Sequence, residues 1–196
     1  MNDLRIARIT PRDAKGLSDH LLNLRAVVAE REGIYPSIDR WFDKKVISGL
    51  AAKSRIAYVG YVNEIPAIAA IVKLGKNTKV CHIGIRDDLQ NAGLGEMFFS
   101  LLALEARTTA NSLHLTLPES LWASKMGFFK DFGLDQPMVA GRQYRLFDEE
   151  LALRSDFPTI WQSVLTKIPK LAEKFSLSGN SLSNGVLFSL QRNSLK

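Results

Sequence analysis

The stretch IRDDLQNAGLGEMFF, from Ile85 to Phe99, places two glycines spaced G-x-G where a helix begins. The apolar run KVCHIGI precedes it and the long apolar run LGEMFFSLLALEA overlaps its end. Glycine weakens a helix, and a helix entered from a loop ordinarily takes Ser, Thr, Asp or Asn as its cap. One explanation is a helix long and buried enough to absorb that cost. The other is a ligand that must come close to the backbone. A helix start leaves four N–H groups unpaired and carries about half a positive charge, which suits phosphate, and glycines let phosphate approach. The strand-loop-helix setting favours the second explanation. Two familiar phosphate motifs do not fit. The dinucleotide fingerprint needs a third glycine and an acidic residue roughly twenty positions on, and both are missing. The Walker motif needs Gly-Lys-Ser/Thr, which does not follow.

Working outward, LRIARIT alternates and is predicted as a strand. Residues 11–30 carry Leu17, Leu21, Leu24 and Val28 at helical spacing and are predicted as one helix, broken by GIYPS. Ser37 is expected to cap a second helix over IDRWFDKKVISGL, with Gly49 ending it. RIAYVGYVN and AIAAIVKLG read as a hairpin about the NEIP turn, and KVCHIGI as a third strand. After the glycine turn a helix is expected from about Leu94 to Thr108. SLHLTLP then reads as a strand, SLWASKMGFFKDFG as an amphipathic helix and GRQYRLF as a late strand. FPTIWQSVLTKIPKLAEKF is helical, with Pro169 expected to kink or break it. SLSGNSLSNG is a polar linker and VLFSLQRN a final strand-like run. The order predicts an α/β (α+β) domain, a mixed central sheet flanked by helices.

With 196 residues, 46% hydrophobic and 23% charged, the chain suits one domain with a short appendage. The expected division is 1–150 for the domain and 151–196 for a basic C-terminal helix, linker and short strand. No run reaches the ~20 apolar residues of a membrane span, and the first residues lack the apolar core of a signal peptide. A cytoplasmic protein without membrane contact is expected. Cys81 is the only cysteine, which excludes an internal disulfide and a multi-cysteine zinc site; no metal is expected. The net charge of +6 is uneven: residues 1–55 hold eleven Lys/Arg against seven Asp/Glu, residues 56–150 nine against eleven, and residues 151–196 six against two. Basic ends suit an anionic partner such as nucleic acid, an acidic protein or a polyphosphate; an ordinary solvated surface explains them equally well.

IGIRDDLQNAGLGEMFFSLLALEA resembles the acyl-CoA signature of the GNAT acyltransferase superfamily: an apolar strand, an acidic turn, Arg/Gln-x-x-Gly-x-Gly/Ala, then a helix. SLHLTLP followed by FFKDFGL resembles the family's next strand and its aromatic helix ending in glycine, and the resemblance covers roughly residues 3–148. It implies acetyl-CoA, or another acyl-CoA, as cosubstrate, lying in a V-shaped opening between KVCHIGI and SLHLTLP. Backbone groups along Ile83, Gly84 and Ile85 would pair with the pantetheine arm. The turn Gln90, Asn91, Ala92, Gly93, Leu94, Gly95 and Glu96 would hold the pyrophosphate. A primary amine would attack the thioester directly.

The resemblance also locates a departure. Where many members have a tyrosine that protonates the leaving thiolate, this chain has Phe129. Tyr144, Ser120 and Ser124 are possible substitutes. For the base, Glu119 stands just past a strand end, where a helix N-terminal acid is also an ordinary choice. His82 has a suitable chemistry, and so has His114, though both also read as structural histidines. Tyr35, Trp41 and Phe42 come from the region that lines the acceptor pocket in the family, and packing explains them as well. The acceptor would be a small-molecule or protein amine. A nucleic-acid-linked acceptor and a non-catalytic acyl-CoA-binding scaffold are the alternatives. The apolar stripe of the last helix must bury on the domain or on a second copy, so a homodimer through that segment is a further expectation.

Overall fold

The computed structural model describes residues 4–141 and 149–174. The strands are β1 (Leu4–Ile9), β2 (Arg55–Val62), β3 (Ile65–Lys73), β4 (Asn77–Ile85), β5 (Ser112–Pro118), β6 (Met138–Gly141) and β7 (Glu150–Asp156). They form one sheet in the order β1-β2-β3-β4-β5-β7-β6. The first four strands run antiparallel to their neighbours, β4 and β5 are parallel, and β7 lies antiparallel between β5 and β6. Asn63 and Glu64 both take positive φ, 50° and 64°, giving the two-residue turn that a β2–β3 hairpin requires.

The helices are α1 (Pro11–Gly16), α2 (Asp19–Ala29), α3 (Ile38–Trp41), α4 (Ser48–Ala51), α5 (Leu94–Ala106), α6 (Glu119–Asp131) and α7 (Phe157–Lys174). They cover the sheet on both faces. On one face Leu21, Leu24 and Val28 of α2 pack with Ile38, Phe42, Val46 and Leu50 against Val59, Ala69 and Ile71 of the sheet. On the other, Met97, Phe98, Leu101 and Leu102 of α5 pack with Phe132 and with Ile160, Val164 and Ile168 of α7. This explains why β2 and β3 are almost uninterruptedly apolar: both of their faces are buried.

Several local expectations are corrected. The predicted helix over 11–30 is two helices, because Leu17 turns left-handed (φ 51°) and Ser18 accepts the Leu21 N–H to start a new one. Ser37 stands before α3 but caps nothing with its side chain. Gly49 does not end its helix, which runs on to Ala51; a Cβ there would stand 2.5 Å from Arg55 Cδ, so the glycine makes room for that side chain. A π-helical segment, Phe42–Ile47, joins α3 to α4. The predicted strand 141–147 and the final run 186–193 lie almost wholly outside the described residues, which take in only Gly141, the last residue of β6.

Residues 150–174 are built into the fold. Glu150–Asp156, read from sequence as a boundary, is β7, paired with β5 from Ser112 to Pro118. Its alternation of buried Leu151 and Leu153 with exposed Arg154 is the strand signal that was overlooked. Phe157, Ile160, Val164, Ile168 and Leu171 of α7 are all buried at helical spacing. The stripe on α7 is therefore covered by this chain's own α5 and β7, and needs no second copy for its burial. The helix continues through Pro169 to Lys174, its flanking Ile168 and Leu171 held in the core.

Candidate functional site

The site begins with a parting of two strands. β4 and β5 are in register only from Asn77–Val80 against Ser112–Leu115. Beyond that, β4 runs on to Ile85 and β5 to Pro118 without pairing to each other. The parting starts at a bulge: Val80 pairs with Val72 but His82 pairs with Ile71, leaving Cys81 as an extra residue in β4. A bulge bends and twists its strand, and here it falls at the end of the β4–β5 ladder.

Backbone polarity along the parted segment follows from one bond. The Arg86 N–H donates to Ala67 C=O at 2.9 Å, so Arg86 is a hydrogen-bonded partner of β3. By antiparallel alternation Gly84 and His82 also turn their backbone groups toward β3, and Ile83 and Ile85 turn theirs into the opening. Arg31, in the loop after α2, donates from Nη2 to the Ile85 carbonyl at 2.8 Å and pairs with Asp87 at 3.3 Å. The N–H of Ile85 and both backbone groups of Ile83 face the space between the strands.

The glycine turn follows Ile85 at the parted end of β4. Asp87–Leu89 form a single 3-10 turn, Gln90 is extended, Asn91 has φ 63° and Gly93 has φ 88°, and α5 starts at Leu94. No side chain caps α5, so the amides at its start are free for another acceptor. Gly93 has a conformational reason to be glycine, its left-handed φ. Gly95 does not: a Cβ there would touch Ile85 Cδ1 and Phe128 Cε2 at 3.6 Å, an ordinary contact. The two glycines separate, one demanded by the turn and one that leaves the helix start bare. Lys125 of α6 reaches the same turn, its Nζ donating to Asn91 Oδ1 at 2.9 Å.

Solved structures share this architecture. A GNAT-family protein from Desulfovibrio desulfuricans is 19% identical, with 79% of this chain and 99% of that one covered and a TM-score of 0.60. The ribosomal-protein-S18-alanine N-acetyltransferase of Escherichia coli is 14% identical over 79% of this chain and 94% of its own, with a TM-score of 0.59. An acetyltransferase of the GNAT family from Streptococcus pneumoniae is 16% identical over 78% and 99%, with a TM-score of 0.52. The chain has the GNAT fold. No family model matches the sequence, and no curated protein matches it significantly.

Within the GNAT fold of this chain the candidate catalytic residues fall in different places. His82 lies on β4 beside the opening, on the face covered by α2. Its Nε2 is sealed from solvent with no hydrogen-bond partner among the described residues, although the residue keeps some exposed surface. The ring lies over Gly84, where a Cβ would stand 2.6 Å from Nε2. Burial, with a smaller contribution from the Arg31 charge, pushes the imidazole down to about 4. It is thus neutral near neutral pH, with a lone pair or N–H unspent. Glu119 is the first residue of α6, directly after β5, and is exposed. Tyr144 lies outside the described residues. His114 is elsewhere: it pairs with Lys79 and Arg154 at the closed end of the strands, its pKa lowered by burial and then by those two cations.

Phe129 is only 6% exposed and sits in an aromatic cluster, stacked on Trp122 at 5.8 Å and edge-on to Phe128 at 5.0 Å. Ser124 bonds back to the Leu121 carbonyl within its own helix, and Ser120 is exposed on the same turn. Phe42 is a core residue, while Tyr35 and Trp41 are half-buried against the α2 side. Sequence reasoning missed Arg31 and Lys125. Neither belongs to a motif; both reach the site from other elements, Lys125 where α6 breaks its helical geometry at φ −124°, ψ 19°. Among the described residues no group of His, Cys, Asp and Glu is placed to hold a metal ion, and no helix is long and apolar enough to cross a membrane.

Proposed function

We propose that this protein is an acyl-CoA-dependent N-acyltransferase that moves an acetyl or other acyl group directly to a primary amine. The observation that carries this reading is the parted β4–β5 pair, with the backbone of Ile83 and Ile85 turned into the gap and an uncapped, glycine-led helix start just beyond the parted end of β4. Acyl-CoA fits that donor set. An extended amide-bearing arm can pair with a strand edge, and a pyrophosphate can accept from the amides at the start of α5, within Gln90–Glu96. Acyl-CoA brings an acyl carbon already activated as a thioester.

In this reading β4 holds and orients the thioester arm through Ile83 and Ile85. The amine approaches from the α2 side, and its lone pair forms the new C–N bond as the C–S bond breaks. In this reading His82, whose neutral Nε2 has no hydrogen-bond partner among the described residues, would take the proton the amine loses, and Glu119 at the mouth is the other candidate acceptor. Phe129 has no proton to give, so the thiolate leaves without an acid at that position or draws on Ser120 or Tyr144. The acceptor class includes protein amines as well as small molecules, a reading supported by the ribosomal-protein-S18-alanine N-acetyltransferase that shares the fold. The site of action is the cytoplasm.

The test is ligand stabilisation followed by turnover. Acetyl-CoA and CoA should raise the Tm, because a ligand that binds only the native state stabilises it, while ATP and NADH at the same concentration do much less. Release of free thiol from acetyl-CoA, followed across amines, basic peptides and tRNA, then identifies the acceptor. No CoA-dependent Tm shift at millimolar ligand overturns the reading. A second reading, an acyl-CoA-binding scaffold, is favoured by the buried Phe129; stabilisation by CoA with no thiol release across the whole panel would select it.

A further inference from the structure

Around the glycine turn, the acidic side chains Asp87, Asp88 and Glu96 each meet a cation. Asp87 is met by Arg31 at 3.3 Å and Asp88 by Arg86 at 2.6 Å. Glu96, in the first turn of α5, is met by Lys167 of α7 at 3.3 Å, and Lys167 also holds Asp131 of α6 at 2.9 Å. These acidic groups, which would otherwise repel an anion, already have a cation. The hydrogen-bond partner of Lys125 among the described residues is instead the Asn91 amide oxygen, which is neutral. The bond from Lys125 to Asn91 is exposed, so an incoming anion can reach the ammonium. An ammonium bound to a neutral oxygen can exchange it for an anionic one without breaking an ion pair, and charge-assisted bonds are the stronger kind.

The backbone places this charge. α6 starts directly after β5 at the mouth of the opening and leaves helical geometry at Lys125 itself. From that break the side chain crosses to Asn91, a turn residue held at φ 63° beside the free amides of α5. We propose that Lys125 is a phosphate-binding residue of the acyl-CoA site, supplying from α6 a positive side chain that engages the pyrophosphate held by the 90–96 turn. The inference rests on the acyl-CoA reading of the site and adds to it a residue from outside the signature. It makes cofactor binding depend on the charge of Lys125 and not only on the amides of the turn.

The experiment is calorimetric titration of the full chain with CoA and with dephospho-CoA, which keeps the pyrophosphate and lacks the 3′-phosphate. Lys125→Gln removes the charge but keeps a donor for Asn91, and should weaken both ligands by roughly tenfold. Lys125→Arg keeps the charge and should stay within about threefold of the parent. The deficit of the glutamine variant should shrink as salt is raised, because the lost contact is ionic. Three outcomes overturn the proposal: Lys125→Gln binding CoA as the parent does; a loss seen with CoA but absent with dephospho-CoA; or Lys125→Arg failing as badly as Lys125→Gln. Failure of the parent itself to bind either ligand would instead overturn the acyl-CoA reading on which the proposal stands. Circular dichroism and Tm of each variant confirm that the fold is intact.

Discussion

A Cβ on Gly84 would stand 2.6 Å from His82 Nε2, so these two residues act as a pair. Gly84→Ala is expected to push the imidazole out of its place, costing about 1–3 kcal/mol of stability in urea unfolding and most of the acyl transfer rate. His82 also gives the protein a pH signature. Its folded pKa, about 4, lies below the ordinary 6.5, so the unfolded chain takes up a proton before the native one does. This penalty is absent above about 6.5 and grows as the pH falls toward 4. Between pH of about 7 and about 5 the parent should therefore lose more stability than His82→Gln, measured by denaturant unfolding. Equal losses would mean that the imidazole titrates normally. The glycines of the turn divide the same way. Gly93→Ala forces a side chain to φ 88° and should cost about 1–2 kcal/mol. Gly95→Ala should leave the Tm nearly unchanged and weaken CoA binding, because its Cβ meets only ordinary contacts within the protein.

Among the elements, α7 carries the clearest test. Ile168 is 1% exposed and packs into the core shared with α5, so Ile168→Ala should cost about 2–4 kcal/mol in urea unfolding. A cost near zero would mean that the helix is a loose appendage. α7 also reaches the site through Lys167, which bridges Glu96 on α5 and Asp131 on α6. Its sequence announced an amphipathic helix without saying what the stripe would face. β7 was missed for a related reason: ELALRSD is short and follows a polar turn, and what makes it a strand is the open edge of β5 waiting beside it. α1 and α2 were merged because a continuous apolar period hides the left-handed step at Leu17.

Over the whole molecule, the opening exists because one sheet is held together on both sides of it. β4 is tied to β3 from Lys79 to Ile85, and β5 is tied to β7 throughout its length, so neither can move over to close the gap. Arg8 and Tyr58 both donate to Glu105 near the other end of α5, fixing that helix to β1 and β2 while its bare start faces the gap. The basic ends of the chain, six Lys/Arg against two Asp/Glu after residue 150, belong partly to this same folded unit rather than to a separate tail.

Sequence alone determined the α/β layering, the β2–β3 hairpin, and the strand, glycine turn and helix from Lys79 to Ala106. These are local: alternation, turn chemistry and a helix start are all written within a few neighbouring residues. Through the resemblance to the GNAT superfamily it also singled out Phe129, where many members have a tyrosine. Tertiary structure decided the rest. The Cys81 bulge depends on how β4 meets β3, the parting of the strands depends on β5 choosing β7, and the reach of Arg31 and Lys125 depends on loops and a broken helix brought in from far along the chain. Pairing across such distances is set by which surfaces can be buried together, and no short window of sequence contains that information.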